Sequence, residues 1–225
     1  MLDLALFCLA IASGIAAAST ACGVNMIFTV RAARDHASAG RSTFPYLAGS
    51  VLGAACTGSL LGVVALGIGP LVTGHDVLKV STFALGVLAV VLGLRELGVI
   101  VLSVPQRNSQ LNYDGLSMEG TSRRMFGFGF WLGVGFLTFS PYAGLHALAI
   151  AAVLQAEFAP ALLMFVTFGL ARGATVVALG LFQPSWTAVA KVADHIAASA
   201  PLAHRITAVG LFALAAGALV EVITA

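Results

Sequence analysis

The residues with chemistry to offer in this chain lie inside apolar runs. Cys22 sits in Ser19-Thr20-Ala21-Cys22-Gly23-Val24-Asn25. A thiolate can attack a disulfide, and two thiols whose Cα atoms lie within about 7 Å can form and exchange one. Cys56 is the candidate partner for Cys22, and Cys8 is a third thiol of the same kind. The plain alternative is that each is a small core residue, the usual fate of a free cysteine. Cys22 and Met26 stand four apart, on one face of a helix, and their soft sulfurs suit copper(I) or another thiophilic ion. Tyr142 and His146 repeat that spacing beside Pro141. The four side chains could line a metal path, with ordinary helix packing as the alternative. Arg172 lies in the middle of an apolar stretch. A charge there costs roughly 3 kcal/mol on insertion scales, so it must face inward and find an acceptor. Asn25, Tyr142 and the carbonyls freed by Pro141 are the candidate partners. A polar staple between helices would serve equally well.

These residues must be positioned by membrane helices. The chain is 60% hydrophobic and 9% charged, against about 25% charged in soluble domains. Its mean hydropathy is +1.02. The class is an all-α, polytopic membrane protein forming a single transmembrane domain over 1–225. Basic residues are too few and too scattered for nucleic-acid binding, and the first apolar run has no basic leader of the signal-peptide kind. Each crossing needs roughly 20 apolar residues, which predicts six helices, at about 2–30, 44–72, 77–103, 125–155, 159–182 and 204–224. The stretch 183–203 is weakly amphipathic and suits the membrane surface.

Arg31, Arg34, Arg41, Arg107, Arg123, Arg124, Lys191 and Arg205 follow the odd-numbered spans, and only Lys79 falls on the other side. Basic loops stay in the cytoplasm. Both termini are therefore expected on the outer, periplasmic side of a bacterial inner membrane. Arg95 can reach the interface by snorkelling; Glu96, beside it, is harder to account for. His36 reads as a solvated loop residue.

The two halves, 1–104 and 125–225, joined by a cytoplasmic linker at 105–124, carry similar strings in the same order. Val63-Val64-Ala65-Leu66-Gly67 returns as Val176-Val177-Ala178-Leu179-Gly180, and Glu96 pairs with Glu221. With three spans per half the repeat must be inverted, and such folds place their site at interrupted helices where the halves meet. Span 1 is interrupted by Ser19, Thr20, Gly23 and Asn25, and span 4 by Pro141, which removes a backbone donor and kinks a helix. The glycines of Gly127-Phe128-Gly129-Phe130-Trp131-Leu132-Gly133 lack the preceding strand of a nucleotide loop and suit close helix packing.

With this layout, the basic first cytoplasmic loop and two interrupted helices, the chain resembles the CcdA/DsbD transmembrane family. Members of that family carry reducing equivalents across the bacterial inner membrane to thioredoxin-like partners, for cytochrome c maturation among other tasks. The resemblance covers essentially the whole chain. It implies transmembrane thiol transfer, with Cys22 and perhaps Cys56 as redox thiols. The family's motif is a cysteine in a proline-flanked turn in spans 1 and 4. Here Thr20-Ala21-Cys22-Gly23 keeps the cysteine without the prolines, and Ser140-Pro141-Tyr142 has a tyrosine at the second cysteine's place. The usual pair is thus incomplete. Two alternatives stay open: a transporter for a small solute or soft metal ion, and a non-redox subunit of a larger membrane assembly. No cofactor is required beyond that possible metal, and whether the chain is an enzyme stays open.

Overall fold

The computed structural model describes residues 1–35, 39–72, 74–104, 122–136 and 141–224. His36, Arg107, Ser140 and most of the linker at 105–124 lie outside them. The described residues form helices and no strands: α1 (Leu2–Ala18), α2 (Ala21–Asp35), α3 (Ala39–Val72), α4 (His75–Glu96), α5 (Ser122–Val134), α6 (Gly144–Leu154), α7 (Phe158–Phe182), α8 (Trp186–Ala198) and α9 (Ala200–Thr224). A backbone in lipid must satisfy its own hydrogen bonds, and a helix does so within one segment.

Among the described residues, four stretches are long and apolar enough to cross a membrane: Thr43–Pro70, Val77–Glu96, Phe158–Phe182 and Ala200–Thr224. A fifth forms if α1 and α2 count together, although they meet at a bend of 72°. The predicted span at 125–155 is represented by α5 and α6, of 13 and 11 residues. At about 1.5 Å per residue, neither reaches across a hydrocarbon layer of about 30 Å alone.

Local chemistry explains each interruption. At the end of α1 the hydroxyls of Ser19 and Thr20 donate to the carbonyls of Ala16 and Ala17, at 2.6 and 2.9 Å. They satisfy acceptors that a continuing helix would have used. Gly23 then lets α2 turn sharply, because a Cβ there would strike the Ala18 carbonyl. Gly135 ends α5 in the left-handed region, at φ +76°, where glycine carries no steric cost. Gly98, at φ +74°, ends α4. Its amide donates to the Arg95 carbonyl and that of Val99 to Leu94, the paired bonds of a Schellman cap. The sequence reading carried this span on to 103. The cap stops the helix at Glu96 and leaves the apolar stretch 97–104 outside it.

In the assembled fold, α3 packs along both α5 and α7, α4 lies against α9, and α1 is shared by α7 and α9. Small residues allow the closest of these approaches. Gly49 and Gly53 of α3 face the carbonyls of Phe126 and Phe130, while Gly129 and Gly133 of α5 face those of Tyr46 and Ser50. The arrangement is reciprocal, a small-xxx-small motif on each helix. Gly169 and Gly173 of α7 meet Ser50 and Ala54 in the same way, and Ser50 donates to the Gly169 carbonyl at 2.9 Å.

One expectation is corrected. Arg31 belongs to α2 rather than to a loop. It is buried, donating to the Gln183 carbonyl at 3.2 Å, with its guanidinium 6.0 Å from the Trp186 ring centre. The amphipathic segment 183–203 contains a well-formed helix, α8, capped by the Ser185 hydroxyl and packed on α2, α7 and α9.

The glycine crossing predicts a steep contrast. Gly133→Ala drives a methyl into the Ser50 carbonyl and should lower stability by about 1–3 kcal/mol. Gly127→Ala meets nothing within 4 Å and should be tolerated. Thermal unfolding of both variants in detergent checks this, and equal melting temperatures would refute the packing account.

Candidate functional site

Glu96 is the last residue of α4, and its carboxylate has no exposed surface. A buried carboxylate is tolerable only when paired and hydrogen-bonded. Five contacts meet it or its neighbour. Arg95 Nη1 forms an ion pair with Glu96 Oε1. The backbone amide of Ala143 donates to that oxygen at 2.9 Å. His204 Nδ1, near the start of α9, lies 2.6 Å from Oε2. Arg95 also donates from Nη1 to the Pro141 carbonyl at 2.7 Å and from Nε to Leu102 at 3.1 Å.

The cluster continues into the first interrupted helix. The Tyr142 ring stands edge-on to His204 at 4.8 Å, and its hydroxyl is 2.8 Å from Ser19 Oγ. Ser19 ends α1, and Tyr142 immediately precedes α6. A chain of polar groups therefore runs from Ser19 through Tyr142 and His204 to Glu96 and Arg95. It ties the break between α1 and α2 to the start of α6, the end of α4 and the start of α9. Seen by halves, Ser19, Arg95 and Glu96 belong to 1–104, whereas Pro141, Tyr142, Ala143 and His204 belong to 125–225. Apart from the Arg95 contacts with Glu96 and Leu102 and the ring contact of Tyr142 with His204, each of these contacts joins one half to the other. Next to the cluster opens a cleft of about 600 Å³ bordered by Arg95, Glu96, His204 and Arg205.

A second buried polar group lies beyond the α1–α2 break. Arg172 of α7 is fully buried and donates from Nη1 to the Leu132 carbonyl at 2.6 Å. This acceptor is in the last turn of α5; the carbonyl that Pro141 frees, four positions before it, lies outside the described residues. Tyr46, also fully buried, is within electrostatic reach of both Arg172 and Cys22. Cys22 and Met26 are enclosed with Ile27, Val30 and Tyr46 in one apolar cluster.

The sequence-derived site residues thus divide. Pro141 and Tyr142 enter the Glu96 cluster, and Cys22, Met26 and Arg172 lie around Tyr46. Asn25 is exposed. His146 packs edge-on against Phe136 at 5.6 Å. Cys56 is exposed on α3, Cys22 is buried, and none of the three cysteines is in a disulfide. The phenol beside the Cys22 thiol is that of Tyr46; Tyr142 turns to Ser19 and His204. Glu221, which the sequence pairs with Glu96, is exposed at the far end of α9. Among the described residues, no group of three His, Cys, Asp or Glu side chains is placed to hold a metal.

His204 is the participant that the sequence reading missed. A histidine in the first turns of an apolar helix is a weak signal, and its acidic partner lies 108 positions away. Comparison with known proteins finds no matching family model, no matching curated protein and no matching solved structure.

If Glu96 holds these elements together, its loss should cost far more than loss of Glu221. Glu96→Ala leaves Arg95, His204 and the Ala143 amide without their acceptor and should destabilise by about 1–3 kcal/mol. Glu221→Ala should leave the melting temperature of the detergent-solubilised chain unchanged. Equal effects would mean that Glu96 carries no structural weight.

Proposed function

We propose that this chain is a multi-pass bacterial inner-membrane transporter for a small solute, built as six crossings in an inverted repeat, with both termini on the periplasmic side. The observation that carries the reading is the Glu96 cluster, in which titratable side chains at two helix breaks bond across the halves. Such a cluster is a latch: while it is made, the halves are closed at the end where the basic loops lie. Loss of the Glu96 carboxylate would break its bonds to Arg95, Ala143 and His204 together, which gives a route for opening the halves.

The repeat is supported by the packing. Contact of α1 with α7 is matched by α5 with α3, and contact of α2 with α7 by α6 with α3. The pairs α3–α7 and α4–α9 correspond to themselves. The match is incomplete, since α1 also packs on α9 and, among the described residues, α5 makes no comparable contact with α4. In this reading α5 and α6 form one broken crossing, as α1 and α2 do. The orientation is supported by the basic residues that follow the odd-numbered spans.

The thiol-transfer reading implied by the CcdA/DsbD resemblance rests on Cys22. A disulfide carrier needs a second sulfur in reach, and Cys56 is on an exposed face. Thioredoxin-like partners, or a larger membrane assembly, belong to that reading and to the subunit alternative.

Accessibility tests the latch without knowledge of the solute. In a chain whose three native cysteines are serine, Ala143→Cys should react slowly with a membrane-impermeant maleimide, because Ala143 is fully buried. Adding Glu96→Gln should raise that rate at least tenfold from the basic-loop side. An unchanged rate rejects the latch. If the serine background itself abolishes the protein's activity in cells, thiol transfer replaces transport as the function.

A further inference from the structure

The cleft of about 600 Å³ beside Glu96 falls within the range of small-molecule sites. Its wall combines two kinds of surface. Arg95, His204 and Arg205 supply positive or polar groups; Leu97, Val101 and Leu102 supply apolar ones. Charge does not cancel there. Arg95 is neutralised by Glu96, whereas Arg205 is exposed and forms no ion pair among the described residues. His204 spends Nδ1 on Glu96 and is about a third exposed, so its other ring nitrogen remains for the cleft. The apolar lining is unusually bare: Leu97 is 48% exposed, Leu102 43%, and Val101 as exposed as in an extended chain. These residues belong to the non-helical stretch that the Gly98 cap releases from α4. The cleft therefore offers a guanidinium and an imidazole together with hydrocarbon.

We propose that this cleft binds an amphiphilic anion, a phosphate or similar head group on an alkyl tail. The head lies against Arg205 and His204, and the tail along Leu97, Val101 and Leu102. Basic pockets between membrane helices suit such head groups. Naming this anion as the transported solute rests on the transport reading above; the binding site itself rests only on the cleft. The anion can come from the membrane, as a phospholipid head group, or from solution, as a free amphiphile.

The test is a titration of the full chain, purified in dodecyl maltoside, with octyl phosphate, and with uncharged octyl glucoside as the comparison. Octyl phosphate should bind, and Arg205→Gln should weaken it at least tenfold. Lys79→Gln, on a different helix end, should leave the affinity unchanged. Octyl glucoside should bind at least tenfold more weakly than octyl phosphate. Competition by phosphatidylglycerol added in mixed micelles assigns the site to a lipid head group; failure of that lipid to compete assigns it to a free amphiphile. Absence of octyl phosphate binding, equal affinity in Arg205→Gln, or equal binding of octyl glucoside overturns the proposal. Binding as expected, in a chain whose Ala143→Cys labelling ignores Glu96→Gln, keeps the anion site and rejects the transport reading.

Discussion

A carboxylate with no exposed surface is the constraint around which this molecule is arranged. Removing an ion from water costs several kcal/mol even after relaxation, and only good geometry with further hydrogen bonds repays it. Glu96 meets those terms with three partners from three places in the chain: Arg95 beside it, the Ala143 amide at the start of α6, and His204 on α9. None of these could be exchanged for a lipid contact. The carboxylate therefore fixes how the end of α4, the start of α6 and the start of α9 sit together.

Those partners exist because helices stop nearby. An uninterrupted helix uses its own amides and carbonyls, leaving none to offer. The amide of Ala143 and the carbonyl of Pro141 are available because α6 begins at Gly144. Arg172 finds its acceptor in the same way, at Leu132 in the last turn of α5. The breaks weaken the spanning elements, and the glycine contacts offset that loss. Where Gly49 and Gly53 meet Gly129 and Gly133, backbones approach closely enough for extensive van der Waals contact, the main attraction available between helices in lipid. The short helix α5 is held along its length by α3, and so its open end stays in place.

The parts legible in the sequence are those that depend on local composition. Apolar runs give the helices, Ser19-Thr20 and Pro141 mark the interruptions, and Gly129 and Gly133 of the span 4 segment mark close packing, whereas Gly127 meets nothing. What depends on partners distant in the chain was not legible. Nothing near Glu96 points to His204, and nothing near Tyr142 says that it faces Ser19 instead of Cys22. The end of α4 is an intermediate case. Gly98, two residues past Glu96 and three past a basic residue, is a recognisable stop, but the apolar stretch after it reads as continued helix. Treating that stretch as membrane core moved Glu96 away from the helix end that gives it its partners. Arg31 was misread for the opposite reason, because a charge next to an apolar run suggests a loop until a helix end and an indole are found waiting for it.

The resemblance to thiol carriers and the geometry of this chain can be reconciled by position. A carrier of that kind needs reactive groups at both broken helices, so that one event joins and releases the two halves. Here the first break retains a thiol, enclosed next to Tyr46, and the second has Tyr142. The groups that in fact reach across are Ser19 with Tyr142, and Glu96 with His204 and the Ala143 amide. Under the proposed function, the bond that forms and breaks between the halves is a set of charge-assisted hydrogen bonds rather than a disulfide. Such bonds form and break without electron transfer, and so they need no second sulfur at the other break.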